Sequence, residues 1–420
     1  MNLSARIAGR GFSMVELLVA MLIGLIGMVI IFQVFEVSEG IKRTTTSGGD
    51  SQQAGVIALY TMERDIKNAG MGFNDTTFVG CDFIGYDSRR ATPDFPAAGV
   101  TMKLSPVLVT PGASSTVPDQ LAVVYGSQPQ AVGSVPLAAD MLNAVDAFNV
   151  TNPFGYSPGD VIALVEPGTN KKCSIMEITK ITGNQIFHDS LGGYSAGGSA
   201  RIARFNKAGG LGVIYDGFGT GNVTRVFNLG NLYNAAPGKA TPLYQPVYNV
   251  YSVSGGSLTV ASQFVLDSTG QPLSQAISDN IVQLRVLYGL DDGTADATAP
   301  NNKPLPAAAD GVIDRYVDGA KFNTLAATRW SALIAVKIAI VARSIQPEKP
   351  SPGRTTCDAT LVEPPWAATA WSVAPFNYNT RLDVSASGDP DPASMNYWTC
   401  YRYRVFETTI PLRNWIWKAS

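Results

Sequence analysis

His188 is the chain's single histidine, and Asp189 and Ser190 come directly after it. Those three residue types could do hydrolytic chemistry. A lone His–Asp pair with no GxSxG elbow and no second histidine carries little catalytic specificity, however. His188 also falls at the end of a strand-like stretch, where a histidine held by its neighbours for structural reasons is the favoured reading. A second candidate is acidic. Asp291, Asp292 and Asp296, followed by Asp310 and Asp314, set several carboxylates near glycine, and calcium takes six to eight oxygens from flexible loops. The spacing does not meet D-x-[DN]-x-[DN]-G with a distal Glu, so solvated turns are favoured and calcium stays a weak candidate. Trp366, Trp371, Tyr397 and Trp398 could form a surface patch for a partner or a glycan. Aromatics in a domain of this size more often build its core.

The carboxylate hardest to set aside is Glu16. From Phe12 to Phe35 the sequence is apolar or glycine except for Glu16, Ser13 and Gln33. An ionised side chain in a bilayer costs on the order of 2.5–3.5 kcal/mol even on the milder scales. The run spans roughly 36 Å as a helix, enough to cross a hydrocarbon core. Arg6 and Arg10 precede it without an acid, which favours a cytoplasmic N-terminus and export of the chain beyond Phe35. An ordinary secretory signal would have a shorter apolar core and a small-residue cleavage site after it, and Ser38-Glu39-Gly40 is a poor one. A plain membrane anchor fits the length but leaves Glu16 unexplained. The third reading cuts before the apolar run, after Gly11, and keeps the run.

Basic leader, Gly11, Phe12 and Glu16, five positions into the retained chain, resemble the type IV prepilin family. The resemblance implies that a prepilin peptidase cuts Gly11–Phe12 and that the new amino group of Phe12 is N-methylated. It also implies that Glu16 pairs with the N-terminal amine of a neighbouring subunit, so that docking supplies the opposite charge.

The elements that would carry this end are read from pattern. Of 420 residues, 15% are charged and the net charge is −2, which gives no footing for nucleic acid. With 41 glycines and 26 prolines the remainder suits a turn-rich β protein. The anchor continues as a helix in which Gly48-Gly49 predicts a kink or break, with Asp50 and Gln53 as a fresh capping box. Val56, Leu59, Tyr60 and Ile66 can share one face, and Gly70 is the stop. Beyond it, DQLAVVYGS, GDVIALVEPG, SIMEITKITGNQIFHDS with a turn at Gly183-Asn184, VYNVYSVSGGSLTVAS around Gly255-Gly256, VQLRVLYGL, LIAVKIAIVARS and YRYRVFETTIPLRN predict strands and hairpins. Residues 87–118, 291–311 and 344–396 read as loops.

LYTMERDIKNAGMG, the GDVIALVEPG to QIFH region, VLYGLDDG and the terminal YRYRVFETTIPLRN resemble, in that order, the PilW group of minor pilins, itself similar to the J-type pseudopilins of type II secretion. The expected fold is α+β and pilin-like. A leader (1–11) precedes a transmembrane and assembly helix (12–35), its periplasmic continuation (36–70) and a large β-rich domain (71–420). The resemblance implies a non-catalytic minor pilin with no cofactor, which primes pilus polymerisation and sits at or near the tip. Expected partners are the prepilin peptidase, other minor pilins, the major pilin, the inner membrane and a large tip adhesin. The expected course runs from the inner membrane to the pilus on the surface of a Gram-negative cell. A J-type pseudopilin and a membrane-anchored periplasmic binding module with the aromatic loop as its site are the alternatives. Export makes disulfides the favoured state of Cys81, Cys173, Cys357 and Cys400, with three full pairings open. Cys357–Cys400 would staple the proline-rich stretch to the last strand, with Cys81–Cys173 as the remainder. Cys81 stands farther from Asn68-Ala69-Gly70 than the group's pattern would have it, which leaves its partner open.

Overall fold

The computed structural model describes residues 13–73, 75–96, 102–127, 133–141, 147–166, 172–189, 192–208, 224–231, 233, 245–292, 311–324, 327–351, 353–366 and 381–416. A single helix, α1 (Met14–Asn68), runs for 55 residues into a domain of packed sheets.

The helix corrects two expectations. It passes through Gly48-Gly49 without a break, so Asp50 and Gln53 lie inside it and not at a second N-cap. Ser51 Oγ donates to the Gly48 carbonyl at 3.0 Å, one local bond that holds this turn closed. Poor helix formers are tolerated here because tertiary packing, not propensity, supports the second half. The buried face is also rotated from the one expected. Ile66 is buried and Leu59 partly so, but Val56 and Tyr60 face outward. The covered side carries Ser51, Gly55, Ala58, Met62, Asp65, Ile66 and Ala69 at helical spacing. Its upper members are small because the sheet comes close: a Cβ at Gly55 would lie 2.1 Å from the Phe406 ring.

Among the described residues there are five sheets. The four-stranded one has the order β18 (Arg315–Asp318), β17 (Ile281–Leu290), β19 (Leu333–Arg343), β20 (Tyr403–Pro411), antiparallel throughout. β19 is buried along almost its whole length, as its unbroken apolar run requires of a central strand. The five-stranded sheet runs β16 (Pro272–Asp279), β15 (Ser257–Leu266), β14 (Val247–Ser254), β4 (Gln120–Tyr125), β3 (Val107–Thr110). Gly255 and Gly256 turn β14 into β15 with φ of 57° and 77°, the paired left-handed values of a tight hairpin. One face of each of these two sheets shares a core with α1 that includes Ala58, Met62, Ile66, Tyr251, Leu284 and Ile340.

The six-stranded sheet has the order β2 (Asp94–Phe95), β1 (Asp82–Tyr86), β8 (Lys172–Glu177), β7 (Asp160–Val165), β13 (Arg225–Asn231), β5 (Val135–Pro136). Beside it lie β6 (Phe148–Asn149), β10 (Gln185–Phe187) and β9 (Lys180–Thr182), and the hairpin of β11 (Gly193–Ala196) and β12 (Ser199–Ile202). The stretch 87–118, expected to be loop, contains β2 and β3. Proline and glycine around Val107–Thr110 mask a short strand whose first three residues are buried.

Buried polar groups organise this region. Glu177 is fully buried and accepts the backbone N–H groups of Arg204 (2.6 Å) and Phe205 (3.2 Å) and the Tyr194 hydroxyl. Burial still pushes its carboxyl above the ordinary value, against those hydrogen bonds. Arg204 grips the buried Asp87 with two hydrogen bonds, at 2.7 and 2.6 Å. Cys81 is bonded to Cys173 on β8, and Cys357 to Cys400 in the turn before β20. Each bond stabilises by typically about 2–4 kcal/mol.

Candidate assembly helix

At its start, α1 is capped by Ser13, whose side chain accepts the Val15 N–H at 3.4 Å. Glu16 lies in the first turn, where the positive end of the helix dipole favours a carboxylate. Ser13 and Glu16 therefore stand as S-x-x-E, a capping-box spacing that overlaps the prepilin-like motif in the sequence. Gly11 and Phe12, the expected cleavage and methylation positions, lie outside the described residues. From Met14 to Phe35 the side chains are exposed on essentially every side, with Phe32 at 67% and Phe35 at 70%. This is the one helix among the described residues long and apolar enough to cross a membrane, and the qualifying stretch has none of its surface covered by the rest of the chain. Gly24, Gly27 and Gly40 have open space where a Cβ would be.

Below Ser47 the same helix is fixed at several points. Ser278 Oγ on β16 donates to the Ala54 carbonyl at 2.9 Å. Asp65, buried at 6% exposure, accepts the hydroxyls of Tyr251 (2.6 Å) and Tyr125 (3.3 Å) and the Asn249 amide (2.8 Å). Burial foremost, and then the nearby Asp65 charge, pushes both tyrosines well above their ordinary range, so they stay donors. A buried carboxylate is costly unless its oxygens are satisfied, and here three donors from two strands converge on it. The helix end is tied as firmly. Asn414, in the short helix α2 (Arg413–Ile416), donates to the carbonyls of Lys67, Asn68 and Ala69 at 3.4, 3.1 and 3.4 Å. These acceptors are the ones a helix C-terminus leaves open. Gly70, at φ 80°, turns the chain so that its N–H meets the Val124 carbonyl on β4 at 2.9 Å.

Neither Asp65 nor Asn414 stands out in the sequence. The signal for Asp65 is a charged residue at helical spacing from Ala58 and Met62; for Asn414, there is none in the local pattern. On the outward side of the same half, Val56, Ile57 and Tyr60 form an exposed apolar patch, separated from the bare half above by the polar stretch 42–53.

The other candidates are dispersed. His188 is buried beside the Phe148 ring, centroids 6.0 Å apart. Asp189 donates its N–H to Thr179 Oγ1 at 3.1 Å, and Ser190 lies outside the described residues. Asp291 accepts the Gly311 N–H at 2.8 Å, Asp314 accepts that of Asp292 at 2.9 Å, and Asp292 pairs with Arg315. Asp296 and Asp310 lie outside the described residues, among which no group of three or more His, Cys, Asp or Glu could hold a metal ion. Trp366 is buried against Leu382 and Val384, Trp398 packs partly on the same cluster, and Tyr397 lies against the Cys357–Cys400 bond. Trp371 is outside the described residues.

Residues 247–414 match the family model described as Type IV Pilus-assembly protein W, and residues 8–32 match the Prokaryotic N-terminal methylation motif. No curated protein and no solved structure matched the chain. The first match begins at β14 and ends at Asn414, so it takes in Asn249, Tyr251, Ser278, Phe406 and Asn414, most of the residues that hold α1. The methylation motif covers most of the bare half of that helix. Together the PilW region and the methylation motif support a PilW-type minor pilin of the type IV pilus.

Proposed function

We propose that this chain is a minor pilin that primes pilus polymerisation and sits at or near the tip, and that its role is structural rather than catalytic. The observation that carries this is the division of α1: one half is mostly uncovered and carries Glu16 in its first turn, and the other is locked into the domain. A helix built this way is stored in a bilayer and later transferred, bare half first, into a bundle of like helices. The prepilin peptidase removes residues 1–11 between Gly11 and Phe12, and with them Arg6 and Arg10, which tether the end to the cytoplasmic face. Phe12 then presents a new amine, which is N-methylated.

The domain lies in the periplasm while the helix spans the inner membrane. On docking, Glu16 meets the N-terminal amine of a neighbouring subunit, which offsets the cost of holding a carboxylate in an apolar setting. The patch of Val56, Ile57 and Tyr60 adds to the contact with the flanking minor or major pilins. A large tip adhesin is a further partner of the exposed end. The test is Glu16→Ala in a piliated strain. Normal leader removal with loss of this subunit from sheared pili is expected, and wild-type incorporation would sink the charge pairing.

A further inference from the structure

A cleft of about 280 Å³ opens on the side of the four-stranded sheet turned away from α1. On β17, Leu284, Val286 and Tyr288 contribute to the core shared with the helix, whereas Leu287 packs with Trp366 and Leu382 on the opposite face. The cleft's apolar floor is that second face. Its walls are polar and fixed. Arg285 Nη1 donates to Asp119 Oδ1 at 2.8 Å, and the other oxygen of the buried Asp119 accepts the Val286 N–H at 3.0 Å. Ser115 Oγ donates to Asp383 Oδ2 at 2.7 Å, and Gln283 Nε2 holds the Asp383 carbonyl at 2.8 Å. Burial works to raise the Asp383 carboxyl, but the hydrogen bonds from Ser115 and Ser385 outweigh it, so the group is held charged. Asp318 and the exposed Arg381 complete the rim, Arg381 with one nitrogen on the Glu363 carbonyl at 2.8 Å. The wall from Pro111 to Asp119 lies outside the matched family region.

The alternation of charge decides the ligand class. An anion would meet Asp318 and Asp383, and a cation would meet Arg285 and Arg381. A ring of hydroxyl groups suits both sets, because each hydroxyl donates to a carboxylate and accepts from a guanidinium. An apolar floor with a few placed polar groups is the usual build of a small-ligand site, and the volume admits about one sugar ring.

We propose that this cleft binds one neutral sugar residue of a glycan, with its hydroxyls between Arg381, Asp318 and Asp383 and its apolar face on Leu287, Leu382 and the edge of Trp366. Only the orientation of the cleft in a pilus, outward because α1 docks inward, rests on the pilin reading. Binding itself does not.

The test uses the full chain in detergent, unassembled, on a panel of immobilised neutral, sialylated and phosphorylated oligosaccharides. Retention by at least one neutral glycan, competed by its free monosaccharide, is expected. Arg381→Ala should weaken it tenfold or more with thermal unfolding unchanged. Asp318→Asn should do likewise, since asparagine keeps the oxygen that accepts the Lys321 N–H. Arg354→Ala, an exposed arginine outside the cleft, should change nothing. Retention of no neutral glycan would overturn the proposal, as would equal retention by Arg381→Ala and Asp318→Asn, or binding confined to acidic glycans and competed by inorganic phosphate. Because no assembly step enters the assay, its failure leaves the pilin reading standing, and failure of the Glu16 test leaves this one standing.

Discussion

From Met14 to Phe35 the helix presents mostly exposed apolar side chains in all directions. Among the described residues the domain reaches it only where Gln346 to Lys349 face Phe32 and Phe35 across a cleft, whereas from Ser51 to Asn68 one side is sealed under two sheets. The two halves share backbone hydrogen bonding and differ in what surrounds them. In the upper half burial is left to lipid or to other subunits, and in the lower half it is complete within the chain. The residue choices reflect this: large aliphatic groups all round above, and small ones at Ser51, Gly55 and Ala58 below, where the helix lies close to β20. Each half also contains a carboxylate in an apolar setting. Asp65 has three donors in its own chain. Glu16 lies on the bare half, and the assembly reading gives it a neighbour's amine.

Substitutions that treat the halves alike should separate them. The largest effect is expected for Gly55→Leu, which drives a side chain into Phe406 and should cost about 3 kcal/mol. Gly24→Leu, with nothing within 4 Å, should leave thermal unfolding in detergent unchanged. Equal effects from the two would break the comparison. Next, Asp65→Ala strands Tyr125, Tyr251 and Asn249 and should cost about 2–3 kcal/mol by denaturant unfolding. Glu16→Ala should cost nothing in the same measurement while abolishing incorporation into pili. Asn414→Ala leaves the last carbonyls of α1 to water and should cost about 1 kcal/mol.

The smallest expected effect lies outside the helix and calibrates the rest. Glu177 in the folded chain has its pKa raised, so the folded state binds more protons than the unfolded one in that window, and its contribution to stability falls as pH rises through it. The stability difference between the wild type and Glu177→Gln should therefore move in favour of the variant from about pH 4 to about pH 7. A difference that does not change with pH would contradict the burial argument.

How much of the molecule is legible in the sequence depends on how local each signal is. Glu16 within an apolar run is a conflict visible in a few residues, and Arg6, Arg10, Gly11 and Phe12 beside it give the run a meaning. The hairpin at Gly255-Gly256 and the unbroken run of β19 announce themselves in the same way. The lower helix is harder to read. Gly48-Gly49 argues locally for a break, but contacts from strands more than two hundred residues away keep the helix intact. Its buried face escapes a search for large apolar residues, because Val56 and Tyr60 face outward while Gly55 and Ala58 carry the contact. The Asp65 cluster draws on Tyr125, Asn249 and Tyr251, and no window of sequence holds all four. The sugar-sized cleft is equally non-local, joining residues from Pro111 to Asp383.

Release of the bare half of α1 for assembly depends, on the pilin reading, on a cut before Phe12. Peptide mapping of the N-terminus of membrane-extracted and pilus-associated protein, with and without the prepilin peptidase, examines that cut itself. A first peptide beginning at N-methylated Phe12, found only when the peptidase is present, is the expected result. A chain that keeps residues 1–11 under both conditions, or one that starts near Gly40, would contradict it.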